Sequence, residues 1–108
     1  MFEQENIDKI VTLLQFAKKS GKVILGRDAV AKAVIKRNVR YVIIATDLSL
    51  NTIESLKNIT EKYKINVVKF GNKELFLSIF GKYTGIVGIS DENFIKGINI
   101  HMSSIKDE

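Results

Sequence analysis

The sequence contains no cysteine, no proline and no tryptophan, and it has a single histidine. Without cysteine there is no disulfide bond, no thiolate metal site and no cysteine nucleophile. No apolar run approaches the ~20 residues that a membrane-spanning helix needs. The acidic start, with Glu3 and Glu5, is unlike a secretory signal or a transit peptide. These absences favour a globular protein with no membrane partner, and 108 residues fit one domain.

Motifs for catalysis are missing as well. The first six positions of a phosphate-binding P-loop are matched at residues 21–26, but Arg27 and Asp28 stand where that loop needs Lys followed by Ser or Thr. The histidine, His101, lies near the C-terminus without other candidate ligands beside it. No serine occupies a Gly-x-Ser-x-Gly turn. The sequence therefore predicts a binding protein that is not an enzyme and needs no cofactor or metal ion.

Positive charge is concentrated in one third of the chain. Residues 9–40 carry nine Lys or Arg and one acid, Asp28, whereas the whole chain has a net charge of +5. Residues 1–8 are acidic, and residues 41–108 carry eight Lys against eight acids. Because a clustered basic surface attracts polyanions, this distribution favours nucleic acid as the partner. The alternative is a lysine-rich surface that is merely solvated.

The hydrophobic pattern predicts helices that alternate with strands. Apolar residues at helical spacing predict helices at about 5–19, 27–37, 51–63 and 72–80, and a short one after Asp91. Runs of β-branched residues predict strands at about 23–25, 41–45, 65–70 and 86–89. We expect an α/β protein, a three-layer α/β/α sandwich with a small four-stranded mixed sheet. Its core would cover about 5–98, followed by a flexible polar tail at 99–108.

Two helix boundaries are predicted from single residues. Asn38 is a plausible C-terminal cap for the second helix, since Asn tolerates the left-handed conformation. Asn51, with Glu54 three residues later, resembles a capping box at the start of the third helix.

The start of the second helix is the first candidate binding site. It follows Gly26, which has no side chain to block the backbone N–H groups that lack partners at a helix N-terminus. Arg27 adds a guanidinium that can take phosphate or a guanine edge. Asp28, Lys32 and Lys36 are spaced by four residues and so share one helix face. The candidate residues of this segment are Lys22, Gly26, Arg27, Asp28, Lys32 and Lys36.

Asp28, an acid within the basic segment, has two interpretations that the sequence leaves open. It can stabilise the first turn of the helix and pair with Lys32 at a spacing of four. It can also accept a hydrogen bond from the amino group of a nucleic-acid base.

The loop before the last strand is the second candidate. Glycines at both ends, Gly81 and Gly85, make it pliable, Lys82 supplies charge, and Tyr83 offers an aromatic face for an unpaired base. The alternative is an ordinary surface loop with an incidental tyrosine.

Residues 21–34 and 42–47 together resemble the ribosomal L7Ae and L30e superfamily of kink-turn RNA binders. The likeness extends over about residues 7–98, and the segments at 47–52 and 81–82 are most similar to the small bacterial YlxQ-type members. The resemblance implies a three-layer α/β/α fold and a cytoplasmic protein that binds structured RNA and is associated with the ribosome or its RNA. We expect it to act as a monomer.

The family's kink-turn motif, Gly-x-Asn-Glu-x-x-Lys, falls at residues 26–32. Gly26 and Lys32 match, which implies close backbone approach and an RNA contact respectively. Asp28 replaces the Asn and loses its amide donor, and Ala29 replaces the Glu and loses an acceptor. The resemblance also assigns RNA contacts to the loop residues Lys82, Tyr83, Thr84, Gly85 and Ile86. The two departures leave an alternative open: a protein-interaction module of the same fold that has lost specific kink-turn binding.

Overall fold

The structure of the protein is a computed structural model, which describes residues 2–105. Its elements, in chain order, are α1 (Phe2–Lys19), β1 (Val23–Leu25), α2 (Arg27–Ile35), β2 (Tyr41–Ile44), α3 (Leu50–Lys62), β3 (Asn66–Lys69), α4 (Lys73–Phe80), β4 (Ile86–Ile89) and α5 (Glu92–Ile105). Within the described range, no helix is long and apolar enough to cross a membrane. The chain forms two compact units, one from the residues up to Lys22 together with those from Asp91 onward, the other from Val23–Ser90.

The first unit is a pair of helices, α1 and α5. Ile10, Leu14 and Ala17 follow helical spacing along α1 and are fully buried, as is Ile98 on α5. A polar contact also joins the two helices, because the Nδ1 atom of His101 lies 2.7 Å from an oxygen of the Asn6 side chain. The acidic first turn and basic last turn of α1 complement its dipole.

The last helix is longer than the sequence predicted. Its start agrees with the prediction, since an Asp91 carboxylate oxygen accepts hydrogen bonds from the backbone N–H groups of Asn93 and Phe94. In place of a flexible tail from residue 99, however, α5 continues to Ile105. Met102 explains the difference, because it continues the four-residue spacing from Ile98 and is buried. Residues 106–108 of the predicted tail lie outside the described residues.

The second unit contains a sheet with the strand order β1-β4-β2-β3. β4 runs antiparallel to both β1 and β2, whereas β2 and β3 are parallel and are joined through α3. The α/β class and the four-stranded mixed sheet predicted from the sequence are therefore confirmed. All four residues of β2 are buried, as expected for an apolar run in a central strand.

One face of the sheet forms a core with α2 and α3. Val42 and Ile44 of β2 pack with Val34 of α2 and Leu56 of α3 in one buried cluster. This packing fixes both helices on the sheet, and it thereby determines where their ends lie.

Both boundaries predicted from single residues are wrong. α2 ends at Ile35, and the left-handed residue after it is Arg37, with a φ of 61°, rather than Asn38. α3 begins at Leu50, and its N-terminal cap is Ser49, whose hydroxyl oxygen accepts a hydrogen bond from an N–H one turn later. Asn51 therefore lies inside the helix and cannot act as its cap.

Tyr41, at the start of β2, makes stability depend on pH in the alkaline range. Its burial raises the pKa of its hydroxyl group from 10.0 to about 12. Below about pH 10 the group is neutral in both states, and above it the unfolded chain loses a proton that the folded protein keeps. We expect the free energy of unfolding to fall by about 1.4 kcal/mol per pH unit between the two pKa values.

Urea unfolding of the wild type and of Tyr41→Phe at about pH 9 and about pH 11 measures this effect. The free energy of unfolding of the wild type, relative to that of Tyr41→Phe, should be lower at the higher pH, because only the wild type loses stability through this hydroxyl. A difference independent of pH would show that the group titrates alike in the folded and unfolded states.

Candidate nucleic-acid interface

The directions of the strands bring several loops to one end of the sheet. β1, β2 and β3 all end there, and β4 begins there. We call this end the Gly26 edge and define it by Gly26, Ala45, Gly71 and Gly85, each next to or near a strand terminus. The two segments that the sequence singled out, the start of α2 and the loop before β4, both lie at this edge.

Backbone hydrogen bonds hold these loops together in a row. The N–H of Gly26 donates to the carbonyl oxygen of Ile86 at 3.0 Å, and the N–H of Ala45 donates to that of Gly85 at 2.8 Å. The N–H of Thr46 donates in turn to the carbonyl oxygen of Gly71 at 2.8 Å. The edge is therefore a continuous backbone structure, which limits how far one loop can move without its neighbours.

Three helices start at the Gly26 edge, and their first turns differ in how they are capped. At α3 the Ser49 hydroxyl accepts from a backbone N–H, and at α4 the side chain of Asn72 does the same at 2.8 Å. Asp47 accepts a further hydrogen bond from the N–H of Lys73 at 3.1 Å. α2 has no hydrogen bond from its first turn to the capping residue's side chain, because that residue is Gly26. The start of α2 is thus the place where an anion from outside can take the N–H groups.

Gly26 also leaves open space beside this helix start. Its backbone has a φ of 98°, which L side chains rarely adopt, and a Cβ atom built there would meet no atom within 4 Å. Glycine therefore meets a conformational requirement here, and the absence of a side chain exposes the backbone to an approaching ligand.

Arg27 is held by side chains on both α2 and α3. Its Nε donates to the hydroxyl oxygen of Ser55 at 2.9 Å, and its Nη1 lies 2.8 Å from a carboxylate oxygen of Asp28. The partner that the structure gives Asp28 is thus Arg27, whereas the sequence suggested Lys32; Asp28 does lie in the first turn of α2, as one interpretation expected. The Asp28 side chain remains 87% exposed, so this surface ion pair adds little to stability but orients the carboxylate. Lys32 and Lys36 are exposed.

The loop before β4 presents fewer side chains than the sequence suggested. Lys82 and Tyr83 are exposed, with Tyr83 at 65%, and Thr84 is partly exposed. Ile86 is 2% exposed and its side chain belongs to the core, so it offers only its backbone at the edge. Gly85 is also buried. The predicted contacts at these last two positions therefore cannot involve an exposed side chain.

Lys22, the remaining candidate, is exposed and belongs to the unit formed by α1 and α5. The basic segment at 9–40 is thus divided between the two units. Lys18 and Lys19 lie in the last turn of α1, where cations stabilise the helix end, so part of the charge excess has a structural role.

Sequence reasoning missed two features of the Gly26 edge. Ser55 orients Arg27 from a different helix, and no local pattern indicates this contact because it depends on how α2 and α3 pack. Leu50, the first residue of α3, is a large apolar side chain that is 79% exposed. With the helix start predicted correctly at Ser49, Leu50 would have been recognised as the first helical residue at this edge.

No metal centre was found in the described part of the chain, where no three His, Asp or Glu side chains come close enough to bind an ion. The chemistry of the edge is that of backbone N–H donors, lysines, an arginine, the carboxylates of Asp28 and Asp47, and one aromatic ring. These groups can bind a polyanion and contact bases.

Comparison with known proteins identifies the family. The model of the ribosomal protein L7Ae/L30e/S12e/Gadd45 family matches residues 8–97. The chain belongs to this family. The RNA-binding protein YlxQ of Enterococcus faecium is 25% identical to it over 91 residues, which are 84% of this chain and 88% of that protein. The resemblance seen in the sequence, including its YlxQ-type character, is thereby confirmed.

Solved structures of other proteins have the same fold as this family member. A protein of unknown function from Bacillus halodurans C has a TM-score of 0.82 and 26% identity, and the match covers 88% of this chain and 97% of that one. The Giardia lamblia 15.5kD RNA binding protein has a TM-score of 0.76 over 94% of this chain and 88% of its own. Since its identity is 16%, this second likeness shows the fold alone.

Gly85 connects the edge to the neighbouring loop through close packing. A Cβ atom at this position would lie 2.6 Å from a terminal methyl group of Leu48 and 3.1 Å from the Cβ of Ala45. We expect Gly85→Ala to lower the free energy of unfolding by about 1–2 kcal/mol, because the Leu48 side chain must move to admit the added Cβ atom. Urea unfolding measures this. The loss should be smaller in a Leu48→Ala background, and an equal loss in both backgrounds would contradict the steric explanation.

Proposed function

We propose that this protein binds structured RNA at the Gly26 edge and catalyses no reaction. The observation that carries the proposal is the uncapped start of α2, which lies beside an exposed loop containing Lys82 and Tyr83. Membership of a ribosomal protein family, and a relative described as an RNA-binding protein, support the choice of RNA over other polyanions.

Each group at the edge has a distinct role in the proposed complex. The N–H groups at the start of α2 bind a phosphate, which Gly26 allows to approach closely. Lys32 and Lys36 contact further phosphates along the exposed face of the helix. Tyr83 stacks on an unpaired base, and Lys82 contacts the phosphate beside it. These contacts together suit a bent or looped RNA, since a straight duplex has no unpaired base to offer.

Asp28 determines which base edge can be contacted. Its exposed carboxylate, oriented by Arg27, accepts hydrogen bonds from base amino groups and donates none. Ala29, next to it, is exposed and has no polar side-chain atom. We infer that the protein prefers kink-turn-like RNA with an amino group at this position, in place of the pattern read by the Asn and Glu of the family motif.

The cellular setting follows from the same proposal. Because the chain belongs to a ribosomal protein family, we propose that its partner is ribosomal RNA or another structured RNA of the translation machinery. The protein would bind this RNA in the cytoplasm. We propose a monomeric protein, since the Gly26 edge needs no second chain to complete it.

A protein-interaction module of the same fold is the second candidate. The departures at Asp28 and Ala29 favour it, as does the exposed Leu50 beside the edge, because apolar side chains are typical of protein contacts. The two candidates differ in their response to salt: RNA binding should weaken steeply as salt rises, since counterions are released. No binding to kink-turn or looped RNA at low salt would favour the interaction module.

Lys32→Ala tests the proposed RNA contact. We expect affinity for structured RNA to fall about fivefold to tenfold, with the slope of log K against log salt reduced by about one, because one phosphate contact is lost. Lys57→Ala, on α3, removes the same charge away from the edge and should change neither quantity beyond a small non-specific effect. Gel shifts at two salt concentrations measure both. An unchanged dissociation constant for Lys32→Ala would exclude this site.

Asp28→Asn tests the base contact. The amide adds a donor that the carboxylate lacks, so we expect a kink-turn RNA that presents an acceptor at this position to bind more tightly by about 1 kcal/mol, with no gain for a kink-turn RNA that presents an amino group there or for a straight duplex. Asp28→Ala is the control, because it also breaks the ion pair with Arg27 but adds no donor. An equal gain for all three RNAs, or for both variants, would show that removing negative charge is the whole effect.

A further inference from the structure

The opposite end of the Val23–Ser90 unit contains a basic pocket that the Gly26 edge does not use. α2 and α3 end there, and β2 and β3 begin there. We call it the Arg37 pocket. It has a volume of about 320 Å³ and is lined by Val34, Arg37, Val39, Arg40, Tyr63, Lys64 and Ile65.

The pocket combines an apolar surface with cations. The apolar part that a ligand can reach comes from Tyr63 and Ile65, which are partly exposed, because Val34 and Val39 are almost fully buried. Arg37 and Lys64 are exposed, and the lining contains no acid. Two cations lie near the Tyr63 ring: the guanidinium carbon of Arg37 is 5.7 Å and the Nζ atom of Lys62 is 5.8 Å from its centre, both within the range of a cation–π contact. A ligand for this pocket should therefore be an anion with a flat apolar part.

The backbone at the pocket points to a use for its cations. Arg37, with φ 61°, and Lys64, with φ 57°, both occupy the left-handed position after a helix, where glycine is the usual residue. Basic residues at helix ends also interact well with the helix dipole, which accounts for their charge. The dipole does not account for the aromatic ring and the apolar surface between them.

We propose that the Arg37 pocket binds one unpaired nucleotide that flanks the RNA element held at the Gly26 edge. The base packs on the partly exposed side chains of Tyr63 and Ile65, beside the Arg37 guanidinium, and its phosphate contacts Arg37 and Lys64. Arginine suits this role because its planar group both stacks on rings and binds phosphate. The volume lies at the lower end of the range for small-molecule sites, which fits a single nucleotide better than a helical segment. This inference rests on the proposed function and extends it to a second contact.

The helix between the two sites sets the length of RNA required. α2 starts at the Gly26 edge and ends beside the Arg37 pocket, and a helix of nine residues is about 14 Å long. Lys32 and Lys36 are exposed along it. A single strand with a rise of about 3.4 Å per stacked nucleotide covers this length in about four nucleotides. An RNA with a single-stranded extension of about five nucleotides should therefore reach the pocket.

Arg37→Gly tests the pocket without changing a residue of the Gly26 edge. Glycine adopts the left-handed conformation freely, so this variant should keep its fold, and its thermal midpoint checks that it does. We expect the extension to tighten wild-type binding about tenfold, and Arg37→Gly to lose most of that gain. Its dissociation constant for the RNA without the extension should stay within about twofold of the wild type. Lys57→Ala removes the same charge elsewhere and should keep the full gain.

Two results would overturn the proposal: an extension that gives no gain, or an Arg37→Gly variant that loses the same factor with both RNAs. The second result would mean that Arg37 contributes only general charge. A repeat with Lys64→Gly should give the same pattern as Arg37→Gly, and a full gain in that variant would remove Lys64 from the contact.

A titration without structured RNA distinguishes failure of the pocket from failure of the edge. A single-stranded RNA of five adenosines should shift the amide NMR signals of Arg37, Tyr63 and Lys64, even if structured RNA does not bind at Gly26. Shifts confined to Gly26 and Gly85 would reject the pocket while supporting the proposed function. Equal shifts from an acidic peptide of the same charge would reject nucleotide binding in favour of an acidic protein partner.

Discussion

The position of β4 between β1 and β2 determines where the groups of the Gly26 edge lie. Because β4 is antiparallel to both neighbours, its first residue lies beside the last residues of theirs. The register pairs Leu25 with Val87 and Ile44 with Ile86, which brings Gly26 and Ala45 to the loop before β4. A shift of one residue in either pairing would turn buried side chains outward, so the buried core enforces the geometry of the edge.

The edge divides binding between backbone and side chains. The first N–H groups of α2 are available to phosphates, because a helix leaves these groups unpaired whatever its sequence. Base contacts instead depend on single side chains such as Asp28. The pairing of Arg27 with Asp28 and Ser55 shows why a local count of charges overstates the basic character of this helix start. The net positive charge of the exposed face comes from Lys32 and Lys36, further along α2.

The sequence predicts the fold better than it predicts the boundaries of the elements. The last strand at 86–89 and the helix that begins at about residue 72 follow from local patterns, and the structure has both. The cap at Asn51 fails because Ser49, two residues earlier, already caps α3, and the cap at Asn38 fails because tertiary packing sets the end of α2. Val39 is buried, so the chain must leave α2 before it and turns at Arg37.

At the candidate site, too, local features can be predicted from the sequence and tertiary contacts cannot. Gly26 and the loop at 81–85 are visible in the sequence as a helix start and a glycine-bounded turn, and their adjacency follows once the sheet order is known. The contact between Arg27 and Ser55 is not visible, because it joins residues 28 positions apart on two helices. The Arg37 pocket is missed for a similar reason, since its cations come from two separate helix ends and an intervening strand start.

The charge on α2 has a consequence for the path of an RNA strand. A helix dipole gives the start of α2 a partial positive charge and its end a partial negative charge, which alone would direct a polyanion to one end only. Lys36 is the C-terminal cap residue, and Arg37 and Arg40 follow it closely, so the negative end is covered by cations. The exposed face of the helix therefore carries positive charge from Lys32 to its C-terminal end. A phosphate backbone can follow α2 from the Gly26 edge to the Arg37 pocket without meeting a region of opposing charge, apart from the carboxylate of Asp28, which Arg27 already neutralises.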